Sequence, residues 1–178
     1  MIISFTGAQS TGKSTLLEQC KQEYGKRFKY VEEVTRLVKR KYKVPINEYG
    51  TDTTQCLIVN QHIINSVKYK NNVIMDRCIL DGVVYTSWLA KQGQVSSWVV
   101  DYSFNVAKML ASKLDVIFFC VPDFDLVKDG ERSEDSNFRN EINNMFEFAL
   151  NQNEFKNRVV KLCGNIEQRM DIIRNTIK

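Results

Sequence analysis

Residues 7 to 14 read Gly-Ala-Gln-Ser-Thr-Gly-Lys-Ser and satisfy the pattern G-x-x-x-x-G-K-[ST] in full. Gly7 and Gly12 let the backbone wrap tightly, so the amides of Gln9, Ser10, Thr11 and Gly12 turn inward. Together with the positive end of a following helix, such amides cradle phosphate oxygens. Lys13 is placed to bridge the β and γ phosphates of a nucleoside triphosphate, and the Ser14 hydroxyl to ligate Mg2+, with Thr15 as a weaker neighbour. The competing reading is an ordinary tight turn after a strand. The apolar run before the motif and the helical pattern after it argue against that reading.

A phosphate loop does not choose among kinases, GTPases and motor ATPases; other residues must do so. After the apolar run 73–75 come Asp76 and Arg77. Asp76 suits the magnesium shell or a proton-accepting role, and Arg77 suits an anionic or polar second substrate. The alternative for the pair is a helix cap. Glu32, Glu33 and Arg36 follow a second apolar run, either as acceptor-binding groups or as charge at a helix N-terminus. The polar stretch from about 122 to 139 has a turn signal at Asp129-Gly130 and is expected to act as a flap. It brings Arg132 and Arg139, which suit charge developing on a transferred phosphoryl group. Tyr85 and Trp88 are candidates for stacking on a base, although aromatics at helical spacing also build cores. Asn165, in the turn Cys163-Gly164-Asn165, is a candidate border of the donor adenine.

The elements that must position these groups follow from hydrophobic period. Strands are expected at 2–5, 28–34, 72–75, 115–121 and 158–162. Helices are expected at 13–26, 35–41, 53–69, 80–91, 96–113, 136–152 and 166–177. Apolar strands separated by helices imply an α/β fold with a parallel sheet covered on both faces. In such a sheet ligands sit at the carboxyl ends of the strands, which is where every motif above lies. Without a Gly/Ser/Pro-rich linker or a repeat, residues 1–178 read as a single domain.

Composition narrows the classes further. The 178 residues are 43% hydrophobic and 26% charged, with net charge +4, as for a soluble globular chain. No apolar run reaches the ~18–20 residues of a membrane span, and the start MIISF reads as a buried strand rather than a leader. Five cysteines without CxxC spacing argue for a reducing, cytoplasmic setting and against disulfides or a zinc site. The single histidine, His62, reads as a helix side chain, which sets aside Ser-His-Asp hydrolysis. The basic run from Arg36 to Lys43 is either a solvated helix face or a phosphate-contacting surface. No N-K-x-D guanine motif is present, and the chain is short for an AAA-type motor with a helical lid domain.

The segments GAQSTGKST, VEEVTR, VIMDRCILD, DGER and GNIEQR together resemble the NadR-like (ribosylnicotinamide kinase-like) branch of small phosphate-loop kinases. That branch is similar to thymidylate and deoxynucleoside kinases. The resemblance implies a P-loop NTPase α/β/α sandwich with five parallel strands in the order 2-3-1-4-5. It implies Mg2+ and ATP on the donor side, served by Lys13 and Ser14, and a nucleoside or nucleoside monophosphate acceptor. Asp76 would serve the metal or the proton, Arg77 with Glu32 or Glu33 the acceptor, and Arg132 with Arg139 the flap. A homodimer and a polynucleotide acceptor remain alternatives to a monomer acting on small molecules, as does a nucleotide-binding switch ATPase with little transfer activity.

Overall fold

The computed structural model describes residues 1–125, 135–152 and 154–177. Five strands, β1 (Ile2–Thr6), β2 (Lys29–Val31), β3 (Val73–Asp76), β4 (Val116–Cys120) and β5 (Val159–Leu162), form one parallel sheet. Their order is β2-β3-β1-β4-β5. Seven helices alternate with them: α1 (Lys13–Tyr24), α2 (Val34–Tyr42), α3 (Asp52–Lys68), α4 (Ile79–Lys91), α5 (Ser97–Ala111), α6 (Ser136–Leu150) and α7 (Ile166–Thr176). This is the expected three-layer P-loop NTPase fold.

The central strands are apolar on both sides because both faces are covered. Along β4, Ile117 and Phe119 enter one core with residues of α4, α5 and α6. Phe118 and Cys120 enter the other, with Leu16, Leu17 and Cys20 of α1 and Met170 and Ile173 of α7. Phe5 of β1 stacks on Phe118 with ring centroids 5.6 Å apart. Burial pushes the thiols of Cys20, Cys78 and Cys120 up to about 12, so these cysteines pack as small apolar groups.

Most boundaries shift from expectation by a residue or two, and two of the shifts have a local cause. The second strand spans Lys29–Val31 rather than 28–34, because Glu33 already caps α2 and Val34 turns inward to pack with Val38 and Ile58. The first helix ends at Tyr24 rather than 26, where Gly25 takes a φ of 49°. On α2 the buried Val34 and Val38 leave Arg40, Lys41 and Lys43 exposed. Among the described residues no helix is long and apolar enough to cross a membrane.

His62 lies on the buried side of α3, and burial, reinforced by the Arg77 charge, pushes its pKa down to about 3. The unfolded chain takes up this proton below about pH 6.5, whereas the folded chain does so only near pH 3. Stability is therefore lost as pH falls through 6.5. Urea unfolding at pH 7 and pH 5 should show His62→Gln losing about 2 kcal/mol less than the wild type over that interval. Equal losses would contradict the buried, neutral imidazole.

Candidate active site

The site is assembled at the carboxyl ends of β1, β3 and β4. β1 runs straight into the phosphate loop, and the loop crowds the end of β4. A Cβ on Gly7, whose φ is +133°, would lie 2.6 Å from the Cys120 carbonyl oxygen. Ser10 (φ 56°) and Gly12 (φ 83°) complete the left-handed turns that coil the backbone before α1 begins at Lys13. The Lys13 ammonium is buried inside this coil. It donates to the carbonyls of Gly7 and Ala8 and to the Thr11 hydroxyl. Burial, then the Arg77 charge, lower its pKa to about 8 against the opposing pull of Asp76.

Ser14 and Asp76 meet across the cleft floor, with the Ser14 hydroxyl donating to Asp76 Oδ2 at 2.6 Å. Asp76 Oδ1 is buried and has no hydrogen-bond partner. Burial and the Glu33 charge raise the Asp76 pKa, while Lys13 and Arg77 oppose the rise. A hydroxyl beside a carboxylate with an unpartnered oxygen is the hard oxygen donor set that Mg2+ takes, so Ser14 and Asp76 fit that ion.

Arg77 occupies the left-handed region at φ 81°, yet its amide still donates to the Phe5 carbonyl at 2.9 Å. Its buried guanidinium donates through Nε to Glu33 Oε1 at 2.8 Å and through Nη1 to Asp81 Oδ1 at 2.9 Å. Its Cζ lies 5.3 Å from the centre of the Tyr85 ring. Burial works against the charged form, but Glu33, Tyr85, Asp81 and Asp76 outweigh it and hold the Arg77 pKa well above the usual value. Burial likewise favours neutral Glu33, but Arg77, Lys13 and Arg36 keep it below the ordinary carboxylate range. The two neighbouring acids are thus driven apart, Glu33 downward and Asp76 upward.

Two pockets share a wall here. The first is lined by residues 9–15 of the loop with Glu33, Arg77, Phe124 and Ile166. The second is lined by Glu33 and Arg77 again, with Asn47, Gln55, Asp81 and Tyr85 among its walls. Gln9 lies at their junction: its Oε1 accepts from the Tyr85 hydroxyl at 3.3 Å, and its buried Nε2 has no partner.

The remaining candidates are placed differently. Glu32 is 80% exposed and faces Arg40 at 4.0 Å, outside both pockets. Arg36 reaches Glu33 Oε2 at 3.1 Å from the first turn of α2. Arg139, on α6, donates to the Phe124 carbonyl at 2.7 Å. Asn165 caps α7 by accepting from the Gln168 amide at 3.0 Å, and it is the next residue, Ile166, that lines the cleft. Trp88 packs edge-on against Phe138 at 4.5 Å and donates to Glu141, away from the pockets. Arg132 lies outside the described residues. Sequence reasoning gave no role to Asn47, Gln55, Asp81 or Phe124. Asp81 alone carried a local signal, lying four residues after Arg77 on the helix that follows it.

The AAA domain family model matches residues 2–169. The chain belongs to that AAA domain family. The sequence argued only against an AAA-type motor with a helical lid, and after β5 the described chain carries α7 alone. No curated protein matches the sequence. Among solved structures the fold is similar to deoxyadenosine kinase from M. mycoides with products dCMP and a flexible dCDP bound. That likeness has TM-score 0.74 at 16% identity, over 99% of this chain and 98% of that one. It is also similar to NadR protein in complex with NR, TM-score 0.73 at 16% identity over 92% of this chain. A NadR complex with NAD and AMP-PNP matches at TM-score 0.73 and 16% identity over 97% of this chain. The chain spans about half the length of the NadR proteins, 46% and 47%. The resemblance read from the motifs therefore extends to the fold of these proteins.

Replacing Arg77 by Met would leave Glu33 and Asp81 as buried carboxylates without their shared cation. Such a change is expected to cost about 3–5 kcal/mol of unfolding free energy. Denaturant titration at pH 7 checks it, and a loss under 1 kcal/mol would show that the network contributes little.

Proposed function

We propose that the protein is a magnesium-dependent kinase that moves the γ-phosphoryl group of ATP onto a hydroxyl of a nucleoside or nucleoside monophosphate. The observation that carries this reading is the shared wall: Glu33 and Arg77 line both the phosphate-loop cleft and the polar pocket beside it. An ATPase that activates water needs one pocket. A phosphotransferase needs two that meet at the transferred group. The likeness to a structure named as deoxyadenosine kinase, and to a NadR protein in complex with NR, supports the same reading.

In this mechanism Gly7 to Ser14 hold the triphosphate, with Lys13 against its terminal phosphates. To do so Lys13 exchanges some of its bonds to loop carbonyls for phosphate oxygens. Mg2+ held at Ser14 and Asp76 would supply charge neutralisation of the phosphates. The acceptor, lodged among Asn47, Gln55 and Tyr85, presents its hydroxyl at Glu33. The hydroxyl oxygen forms the new P–O bond as the bond from the γ-phosphorus to the β–γ bridging oxygen breaks. ADP departs with the bridging electrons, and the hydroxyl proton passes to Glu33. Glu33 lines the acceptor pocket, so it serves as the proton acceptor, while Asp76, bonded to Ser14, serves the metal. Because the transition state is loose, most of the acceleration comes from alignment and from cations around the phosphoryl oxygens.

Incubation with Mg2+, ATP and a panel of nucleosides, their monophosphates and a DNA oligomer, resolved by mass, should give acceptor-dependent ADP and one class of product 80 Da heavier, about the mass of one phosphoryl group. Lys13→Ala should lower turnover at least about a hundredfold while the far-ultraviolet spectrum is unchanged. ADP release that ignores every acceptor would overturn the reading. Preferred phosphorylation of the DNA oligomer would move the acceptor to the exposed basic face of α2.

A further inference from the structure

Arg169 sits on α7, at the end of the GNIEQR segment but with no role assigned to it there, and its side chain is fully buried. An arginine in a protein interior needs several partners to offset its desolvation. This one has four. Nε donates to the Gly164 carbonyl at 2.9 Å, Nη1 to the Thr11 carbonyl at 2.7 Å, and Nη2 to the Val121 carbonyl at 3.0 Å and to Asp123 Oδ2 at 3.1 Å. Asp123 Oδ2 also accepts from the Gly164 amide at 2.7 Å. The Phe124 ring lies against the guanidinium, 4.6 Å from Cζ. One planar fork therefore joins the phosphate loop, the segment after β4 and the turn before α7.

The bond to Thr11 has a consequence for the donor site. A peptide unit is planar and trans, so its C=O and N–H point in opposite directions. With the Thr11 carbonyl drawn into Arg169, the Gly12 N–H of the same peptide points away from Arg169, and both residues line the cleft. Gly12 is the left-handed residue at which that peptide is free to flip (φ 83°). Phe124 is held in the same way: its ring packs on Arg169 and lies 3.0 Å from where a Gly12 Cβ would be, forming one wall of the cleft.

We infer that Arg169 is a positioning residue for the donor nucleotide, locking the Thr11–Gly12 peptide so that the Gly12 amide faces the phosphates and seating Phe124 beside them. The inference rests on the donor half of the proposed function and is independent of the acceptor. It separates Arg169 from a merely structural arginine: loss of the fork should weaken ATP and leave the acceptor pocket unaffected. Arg169 does not touch Asn47, Gln55 or Tyr85, which form that pocket.

The test uses ATP binding by calorimetry, with steady-state kinetics beside it. Arg169→Lys keeps the charge and loses the fork, and it should raise the ATP Kd about tenfold. KM for ATP should rise with it, while kcat and the acceptor KM stay at wild-type values. Asp123→Ala removes an anchor that lies outside the cleft and should raise the ATP Kd about threefold. It decides the matter if the lysine variant does not fold. A folded Arg169→Lys that binds ATP as the wild type does, or one whose kcat and acceptor KM change as much as its ATP affinity, would overturn the assignment. Wild-type protein that binds ATP with both variants weakened, yet transfers phosphate to no acceptor, would refute the kinase reading and leave Arg169 in its role. Wild-type protein that binds no ATP would refute both.

Discussion

Arg77 holds the candidate site together. It is a cation in the interior, placed at the end of a central strand, with carboxylates from two different elements closing on it. Glu33 comes from the cap of α2 and Asp81 from the first turn of α4. Asp81 in turn accepts from the Thr6 hydroxyl at 2.7 Å and from the Cys78 amide at 3.1 Å. The same ion network therefore ties together the end of β1, the start of α4 and the start of α2. A charge so deeply placed persists only with such partners, and it in turn favours the ionised form of Glu33. This mutual requirement fixes Glu33 at the wall between the two pockets and separates its protonation from that of Asp76.

The phosphate loop depends on its own constraint, which is steric. Gly7 passes so close to the end of β4 that no side chain fits, and Lys13 fills the loop interior with bonds to its carbonyls. Arg169 holds the loop through the Thr11 carbonyl. Loop and ion network meet at Lys13, whose pKa falls partly because Arg77 lies near it. The phosphate loop and the pocket beside it are thus electrostatically linked.

The sheet and the loop were legible in the sequence because both are local. VIFFC is apolar at every position only because β4 is covered on both faces, and the loop motif is contiguous. The pocket beside the loop was less legible. Glu32 and Glu33 are adjacent and alike, but one caps α2 toward Arg77 while the other faces solvent, and nothing in their spacing separates them. Tyr85 and Trp88 share helical spacing, yet Tyr85 lines a pocket and Trp88 buttresses Phe138. Gln55 comes from the first turn of α3 and Asn47 from the segment before it, a convergence only the fold creates. Arg169 did leave a trace: it lies three residues after Ile166 and four before Ile173, so a charge interrupts an apolar stripe.

The account stands on one claim, that the phosphate-loop cleft and the pocket containing Gln55 are two halves of one site meeting at Glu33 and Arg77. A bisubstrate ligand, with adenosine joined through an oligophosphate chain to the preferred acceptor nucleoside, tests it directly by equilibrium binding. If the halves adjoin, the linked molecule should bind about a hundredfold or more tighter than ATP or the nucleoside alone. Binding no tighter than that of ATP would mean that the two pockets do not open onto a common point, and the account would be wrong.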